Sequence, residues 1–198
     1  MPRREVPFLP DHFYHFYNRG NNRQAIFFER DNYVYFLRRL KKYLREYLDI
    51  LAYCLMPTHY HILARVRTPQ TSEVPVSQAM QKFIISYTKA INKRFDRVGA
   101  LFQGQFKAKL VEEQNHLLTL CHYIHANPVK DGLVDTPELW EFSNYLEWID
   151  KRPGTLVDRD FINENCGSAG EYEKLVMEFI KSRYVPDDVR KYLLELES

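Results

Sequence analysis

The sequence predicts an α+β domain of the ferredoxin-like, split βαβ type: an antiparallel sheet with helices on one face, followed by a C-terminal helical extension. Three observations carry that expectation. Short apolar or alternating runs are separated by stretches whose apolar residues recur every three or four positions. These segments come in the order β-α-β-β-α-β-α up to Pro128. A change of composition at Lys151-Arg152-Pro153-Gly154 then divides residues 1–150 from an acidic helical stretch, 151–198.

The aromatic-rich run His12 to Arg19 ends at Gly20-Asn21-Asn22 and reads as a first strand entering a turn. From Asp31, an expected N-cap, Val34, Leu37, Leu40, Leu44 and Leu48 mark the inner side of a helix, with Arg38, Arg39, Lys41, Lys42 and Arg45 on its other faces. Asp49 to Met56 and Tyr60 to Val66, separated by Pro57-Thr58, read as antiparallel neighbours. After a polar loop, Ser77 is the expected cap of a second helix that buries Met80, Phe83, Ile84, Tyr87 and Ile91 and ends near Arg97-Val98-Gly99. Phe106 to Val111 alternates, placing Phe106, Ala108 and Leu110 on one face and Lys107, Lys109 and Val111 on the other. Residues 113–127 form a third helix with Leu117, Leu120, Cys121 and Ile124 as its core face, and Pro128 is expected to stop it. Tyr172 to Ser182 and Asp187 to Leu196 read as two further helices.

With 198 residues, 45% of them hydrophobic and 27% charged, the chain is neither disordered nor collagen-like. No apolar run approaches the roughly 18 residues of a membrane span, so the expectation is a cytoplasmic protein without a membrane partner. Cys54, Cys121 and Cys166 lie far apart and form no Cys-x-x-Cys pair, which leaves buried thiols as their reading. The net charge of +2 hides a division: residues 1–130 hold 20 Lys and Arg against 10 Asp and Glu, whereas residues 131–198 hold 8 against 16. A basic body of this kind is a footprint for a polyanion such as nucleic acid. The acidic part is free to fold over that body as a gate, to compete with the polyanion, or to keep the protein in solution.

His59 and His61, two apart at the start of a strand, point to one face and form a ready pair of metal ligands, although hydrogen-bonded surface histidines show the same spacing. Tyr123 and Asn127, at i and i+4, share one stripe of the third helix beside its core face. By spacing alone, that pair equally fits a packing tyrosine and an Asn that caps the helix.

Leu55-Met56-Pro57-Thr58-His59-Tyr60-His61-Ile62 resembles the histidine-hydrophobe-histidine (HUH) signature of single-tyrosine transposases, and His122 to Val129 resembles their catalytic helix. Gly99 to Phe106 resembles the Gly-x-Leu-Trp-Gln-x-Arg-Phe segment of the REP-associated tyrosine transposase branch. The likeness spans about residues 12–148, including Trp140 to Tyr145, with the motifs in the family's order. It implies that His59, His61 and Asn127 hold Mg2+ or Mn2+ and that Tyr123 is the nucleophile. It further implies a 5′-phosphotyrosine linkage that leaves a 3′ hydroxyl able to rejoin strands. The implied substrate is single-stranded DNA with a hairpin, typically a palindromic repeat, rather than a small molecule.

Thr58 stands where that family often has Asn or Glu, and Phe102 and Gln105 replace its usual Trp and Arg. Gln105 cannot make the charged phosphate or bidentate guanine contact of an arginine. His116 and His125 have no assigned role. Nucleic-acid contacts are expected from Lys107 and Lys109, from Lys89, Lys93, Arg94 and Arg97 at the end of the second helix, and from Arg19 and Arg23. Tyr14, Phe16 and Tyr17 are candidates both for base stacking and for the core. The working unit is a monomer or a homodimer. Two other readings stay open: a catalytically silent, domesticated hairpin-DNA binding regulator, and a hydrolase that uses metal-activated water in place of Tyr123.

Overall fold

The computed structural model of the chain describes residues 8–68, 75–112 and 114–182; the stretch Asp187 to Leu196 lies outside them. Four strands, β1 (Phe13–Arg19), β2 (Leu48–Met56), β3 (His59–Val66) and β4 (Lys107–Val111), form one sheet in the order β2-β3-β1-β4. Every neighbouring pair is antiparallel. With α1 (Arg30–Leu44) between β1 and β2, and α2 (Val76–Arg94) between β3 and β4, this is the ferredoxin-like arrangement. Pro57-Thr58 makes the β2–β3 turn, and its carbonyls receive the N–H groups of Gly20, Ile26 and Phe27, pinning the chain after β1 to that end of the sheet. Gly20 has to be glycine: a Cβ there would lie 1.9 Å from the carbonyl oxygen of Gln24.

Strand alternation decides which helix covers which face. Tyr14, Phe16, Tyr53, Leu55, Tyr60 and Ile62 meet Phe36, Leu40 and Leu44 of α1 and Met80, Phe83, Tyr87 and Ile91 of α2. Tyr14 and Phe16 are therefore core residues. A bulge between Ile50 and Ala52 puts Leu51 and Ala52 together on the opposite face, alongside Cys54, Met56 and Leu63. That second face is covered by α3 (Gln114–Lys130) through Leu117, Leu120, Cys121 and Ile124. The expectation of helices on one face thus holds for α1 and α2 only. The third helix crosses to the other side, because both faces of β2 and β3 are apolar and both require cover.

The end of α3 also differs from the expectation. The helix continues through Pro128 to Lys130 and closes on Gly132, whose positive φ and the hydrogen bonds Gly132 N–H to Val129 O and Leu133 N–H to Pro128 O make a Schellman cap. A proline near a helix end forfeits one hydrogen bond, and the glycine four residues later is the stronger terminator.

Beyond α3 come α4 (Tyr145–Trp148), α5 (Arg159–Asn165) and α6 (Ala169–Lys181). Phe161, Ile162, Tyr172, Val176 and Phe179 belong to the same buried cluster as the core face of α3. Ser168 caps α6 in a reciprocal capping box with Glu171. Asn144 is the polar hinge of this region. Its Oδ1 accepts from Tyr53 N–H at 2.6 Å and faces His125 Nε2 at 3.0 Å, while its Nδ2 donates to Leu51 O at 2.7 Å. The Tyr172 hydroxyl lies 2.7 Å from His125 Nδ1, so α6 is tied through His125 to the helix that carries Tyr123. His125 is thereby explained as a buried connector, and the three cysteines are buried free thiols. No described helix is long and apolar enough to cross a membrane.

Burial holds His15 and His125 down to about pKa 3 and His122 down to about 4. As pH falls below about 6.5, the unfolded chain takes up protons at these sites before the folded one does. Their contribution is complete above pH 6.5 and is lost progressively down to pH 3–4, at about 1.4 kcal/mol per pH unit for each group. The urea midpoint is therefore expected to be clearly lower at pH 5 than at pH 7.5.

Candidate active site

Register brings one end of the sheet together with the C-terminal end of α3. Arg19 pairs with His59, Tyr17 with His61, and Tyr17 with Lys107, so the last residues of β1, the first of β3 and the first of β4 stand side by side. On the α3 face of that end lies a cleft of about 460 Å³. It is lined by His59, His61, Tyr123 and Asn127, by Arg19, Arg23 and Lys107, and by Tyr17, Asn18, Thr58, Tyr60, Gln103 and Asp131.

The two histidines share a face as the strand period requires, with ring centroids 5.1 Å apart and ring planes nearly perpendicular. The Tyr123 ring meets the edge of His61 at 5.7 Å, and Tyr123 is only 6% exposed. Asn127, one turn further along α3, is 4% exposed, and its Nδ2 finds no hydrogen-bond partner among the described residues. A buried carboxamide edge without a partner is costly unless a ligand completes it. Amide oxygen and nitrogen are interchangeable by rotation, so Oδ1 can occupy that edge.

Both imidazoles are held through Nδ1: His59 Nδ1 lies 3.0 Å from the Thr58 hydroxyl, and His61 Nδ1 lies 3.0 Å from Nε2 of His15. Nε2 of each ring is left for a ligand. Burial is the main cause that keeps His59 and His61 below the usual histidine range; Arg19 adds to it for His59, and the neighbouring histidines add to it for His61. Asp131 acts in the opposite direction on His59. Two neutral imidazoles and one carboxamide oxygen suit a divalent cation whose other positions are filled by water and a phosphate. Among the described residues, no three His, Cys, Asp or Glu side chains gather closely enough to make a site by themselves. A fit therefore requires the carboxamide of Asn127.

Of the expected cationic contacts, Arg19, Arg23 and Lys107 line the cleft. Arg19 donates to Gln103 Oε1 at 2.6 Å, and Lys107 stands 5.8 Å over the Tyr17 ring. Arg23 follows Asn22 in a tight turn in which both have positive φ, a strained conformation outside glycine. Lys109 shares the sheet face but pairs with His15, further from the open end, and does not line the cleft. Lys89, Lys93, Arg94 and Arg97 belong to α2 and the turn after it, and none of them lines the cleft either. Arg94 pairs with Glu29 at 3.3 Å and Arg97 lies over Phe28. α2 packs on the other face of the sheet, which explains why proximity in sequence to β4 did not bring these cations to the site. Phe102 is buried in the α1–α2 core, and Gln103 takes the cleft position rather than Gln105.

Sequence reasoning missed His15, Asn18 and Asp131. Asp131 extends the Tyr123 and Asn127 stripe by one more turn, a signal hidden by ending the helix at Pro128. It sits at the C-terminal end of α3, where the helix dipole disfavours a carboxylate.

Comparison with known proteins bears on this site. Residues 9–127 match the family model described as "Transposase IS200 like". A Haemophilus influenzae protein assigned by name as a REP-associated tyrosine transposase is 23% identical over 131 residues, covering 54% of this chain and 73% of that protein. Among solved structures, a REP-associated tyrosine transposase bound to a REP hairpin superposes with a TM-score of 0.60 at 17% identity, over 80% of this chain and 94% of that one. A bacterial tRNA(His) guanylyltransferase-like protein in complex with GTP reaches 0.41 at 11% identity, over 64% and 70% of the two chains, too loose a likeness to bear on function.

Proposed function

The chain belongs to the family of IS200-like transposases, and from that premise we propose that its cleft cuts single-stranded DNA beside a hairpin and rejoins the strands, with Tyr123 as nucleophile. The observation that carries this reading is the convergence of His59 and His61 from β3 with Tyr123 and Asn127 from α3 in one cationic cleft. A packing tyrosine and a capping asparagine have no reason to face a histidine pair across a space lined by Arg19, Arg23 and Lys107. The relative solved with a REP hairpin supports a hairpin as the DNA element bound.

His59, His61 and Asn127 would hold Mg2+ or Mn2+. When bound, the cation would draw charge from a non-bridging phosphate oxygen and orient the scissile bond. The Tyr123 phenol loses its proton as its oxygen forms the new bond to phosphorus; the bond to the 3′ oxygen breaks, and that oxygen takes up a proton as a 3′ hydroxyl. Reversal of the same steps rejoins strands without an outside energy source. Arg19, Arg23 and Lys107 hold flanking phosphates.

The test is cleavage of labelled single strands that carry a hairpin, with Mn2+ or with chelator. The reading requires cleavage in Mn2+, its loss in chelator, and its loss in His59→Ala with hairpin binding retained. Binding without cleavage across several hairpins and both metals would instead favour the silent regulator. In binding titrations, Lys107→Ala is expected to weaken affinity and lower the slope of log K against log salt by about 0.7. Lys89→Ala, on the other side of the sheet, is expected to leave cleavage unchanged.

A further inference from the structure

His15 is 0% exposed and lies in the middle of β1 on the face that carries the cleft, yet it is not among the residues that line it. Across the β1–β3 pairing its neighbour is Leu63, and His61 sits on the diagonal beside Tyr17. The three rings form a stack: His15 to Tyr17 at 5.2 Å, His15 to His61 at 5.1 Å, and Tyr17 to His61 at 6.4 Å, with interplanar angles of 28°, 22° and 23°. Within that stack His15 Nε2 and His61 Nδ1 are 3.0 Å apart. One of these nitrogens carries the hydrogen and the other the lone pair, so the tautomer of each ring dictates that of the other.

We infer that His15 is a positioning residue that accepts a hydrogen bond from His61 Nδ1–H and so leaves the lone pair of His61 on Nε2, the atom available to a ligand in the cleft. The inference deepens the proposed function and rests on His61 being a ligand there. A buried partner that fixes the tautomer and the ring plane is what gives a ligating imidazole its orientation. The stack with Tyr17 holds the plane, and the hydrogen bond holds the proton. Thr58 is placed to do the same for His59, but its hydroxyl either donates or accepts. His15 Nε2 is set by its own tautomer in the same way, and its unprotonated form is the one that leaves the His61 lone pair on Nε2.

The test uses the full chain without metal or DNA. Long-range proton–nitrogen correlation in 15N-labelled protein assigns the protonated nitrogen of each histidine ring. The expected result is Nδ1–H on His61 with an unprotonated Nε2, and an unprotonated Nε2 on His15. In His15→Phe, which keeps a ring in the stack, His61 is expected to lose its fixed tautomer and Mn2+ affinity to fall by about 10–100-fold. His15→Gln, which restores an acceptor, is expected to recover most of that affinity. An Nε2–H tautomer on His61 in the unmodified protein would overturn the inference, whatever the variants do. An unchanged Mn2+ affinity in a folded His15→Phe protein would overturn it as well. The expected tautomers in a protein that binds no Mn2+ would support the orienting role and count against the proposed nuclease, which keeps the two failures apart.

Discussion

Tyr123→Phe is expected to lower strand cleavage by roughly 10⁴-fold or more, because a covalent mechanism has no substitute for its nucleophile. The ring stays where it was: it packs at 6% exposure against the core face of α3 and the edge of His61, contacts that phenylalanine keeps. Removing one hydroxyl costs stability on the order of 1 kcal/mol, so the variant is expected to remain folded and, on the proposed function, to keep its affinity for DNA. A gel-based rate measurement at equal protein and Mn2+ checks this. The same variant separates the readings: a hydrolase that uses metal-activated water keeps most of its rate without Tyr123.

The largest expected effect on stability comes from a residue outside the cleft. Asn144 is 0% exposed and satisfies three buried groups with one side chain: Tyr53 N–H and Leu51 C=O of β2, and His125 of α3. Asn144→Leu fills a similar volume and leaves Tyr53 N–H and His125 Nε2 without partners, while Leu51 C=O keeps only the indole N–H of Trp148 at 3.0 Å. At about 1–3 kcal/mol for each stranded polar group, the loss is on the order of 4 kcal/mol, a large fraction of the roughly 5–15 kcal/mol that holds a domain together. Tyr172→Phe, which strands only His125 Nδ1, is expected to cost about 1–3 kcal/mol. Urea unfolding followed by circular dichroism ranks the two. Asn144→Leu is also expected to lower cleavage, since it loosens the register of α3 against β2 and with it the placement of Tyr123.

What could be read from the sequence follows a physical division. A strand's period of two makes His59 and His61 neighbours on one face without knowledge of anything else, and a helix's period does the same for Tyr123 and Asn127. The element order was enough for the sheet topology. Contacts that depend on pairing register carry no such local signal: His15 meets His61 only because β1 lies antiparallel to β3 with Tyr17 opposite His61. The destination of each helix was equally hidden. Lys89 and Lys93 look close to Lys107 along the chain, but α2 settles on the face away from the cleft. The composition change at residue 151 is visible in the sequence. That Phe161, Tyr172 and Val176 share a buried cluster with α3 is not, because an amphipathic helix states that it needs a partner and not which one.

In the proposed reaction Tyr123 becomes covalently joined to DNA in a cleft organised by His59, His61 and Asn127. Its most direct test is to incubate the protein with hairpin-bearing single strands and Mn2+, digest the protein, and locate the nucleotide-modified peptide by mass spectrometry. A 5′-phosphate adduct on Tyr123, formed in Mn2+ and absent with chelator, is the predicted result. Cleavage products with no adduct on any tyrosine, formed equally by Tyr123→Phe, would contradict it.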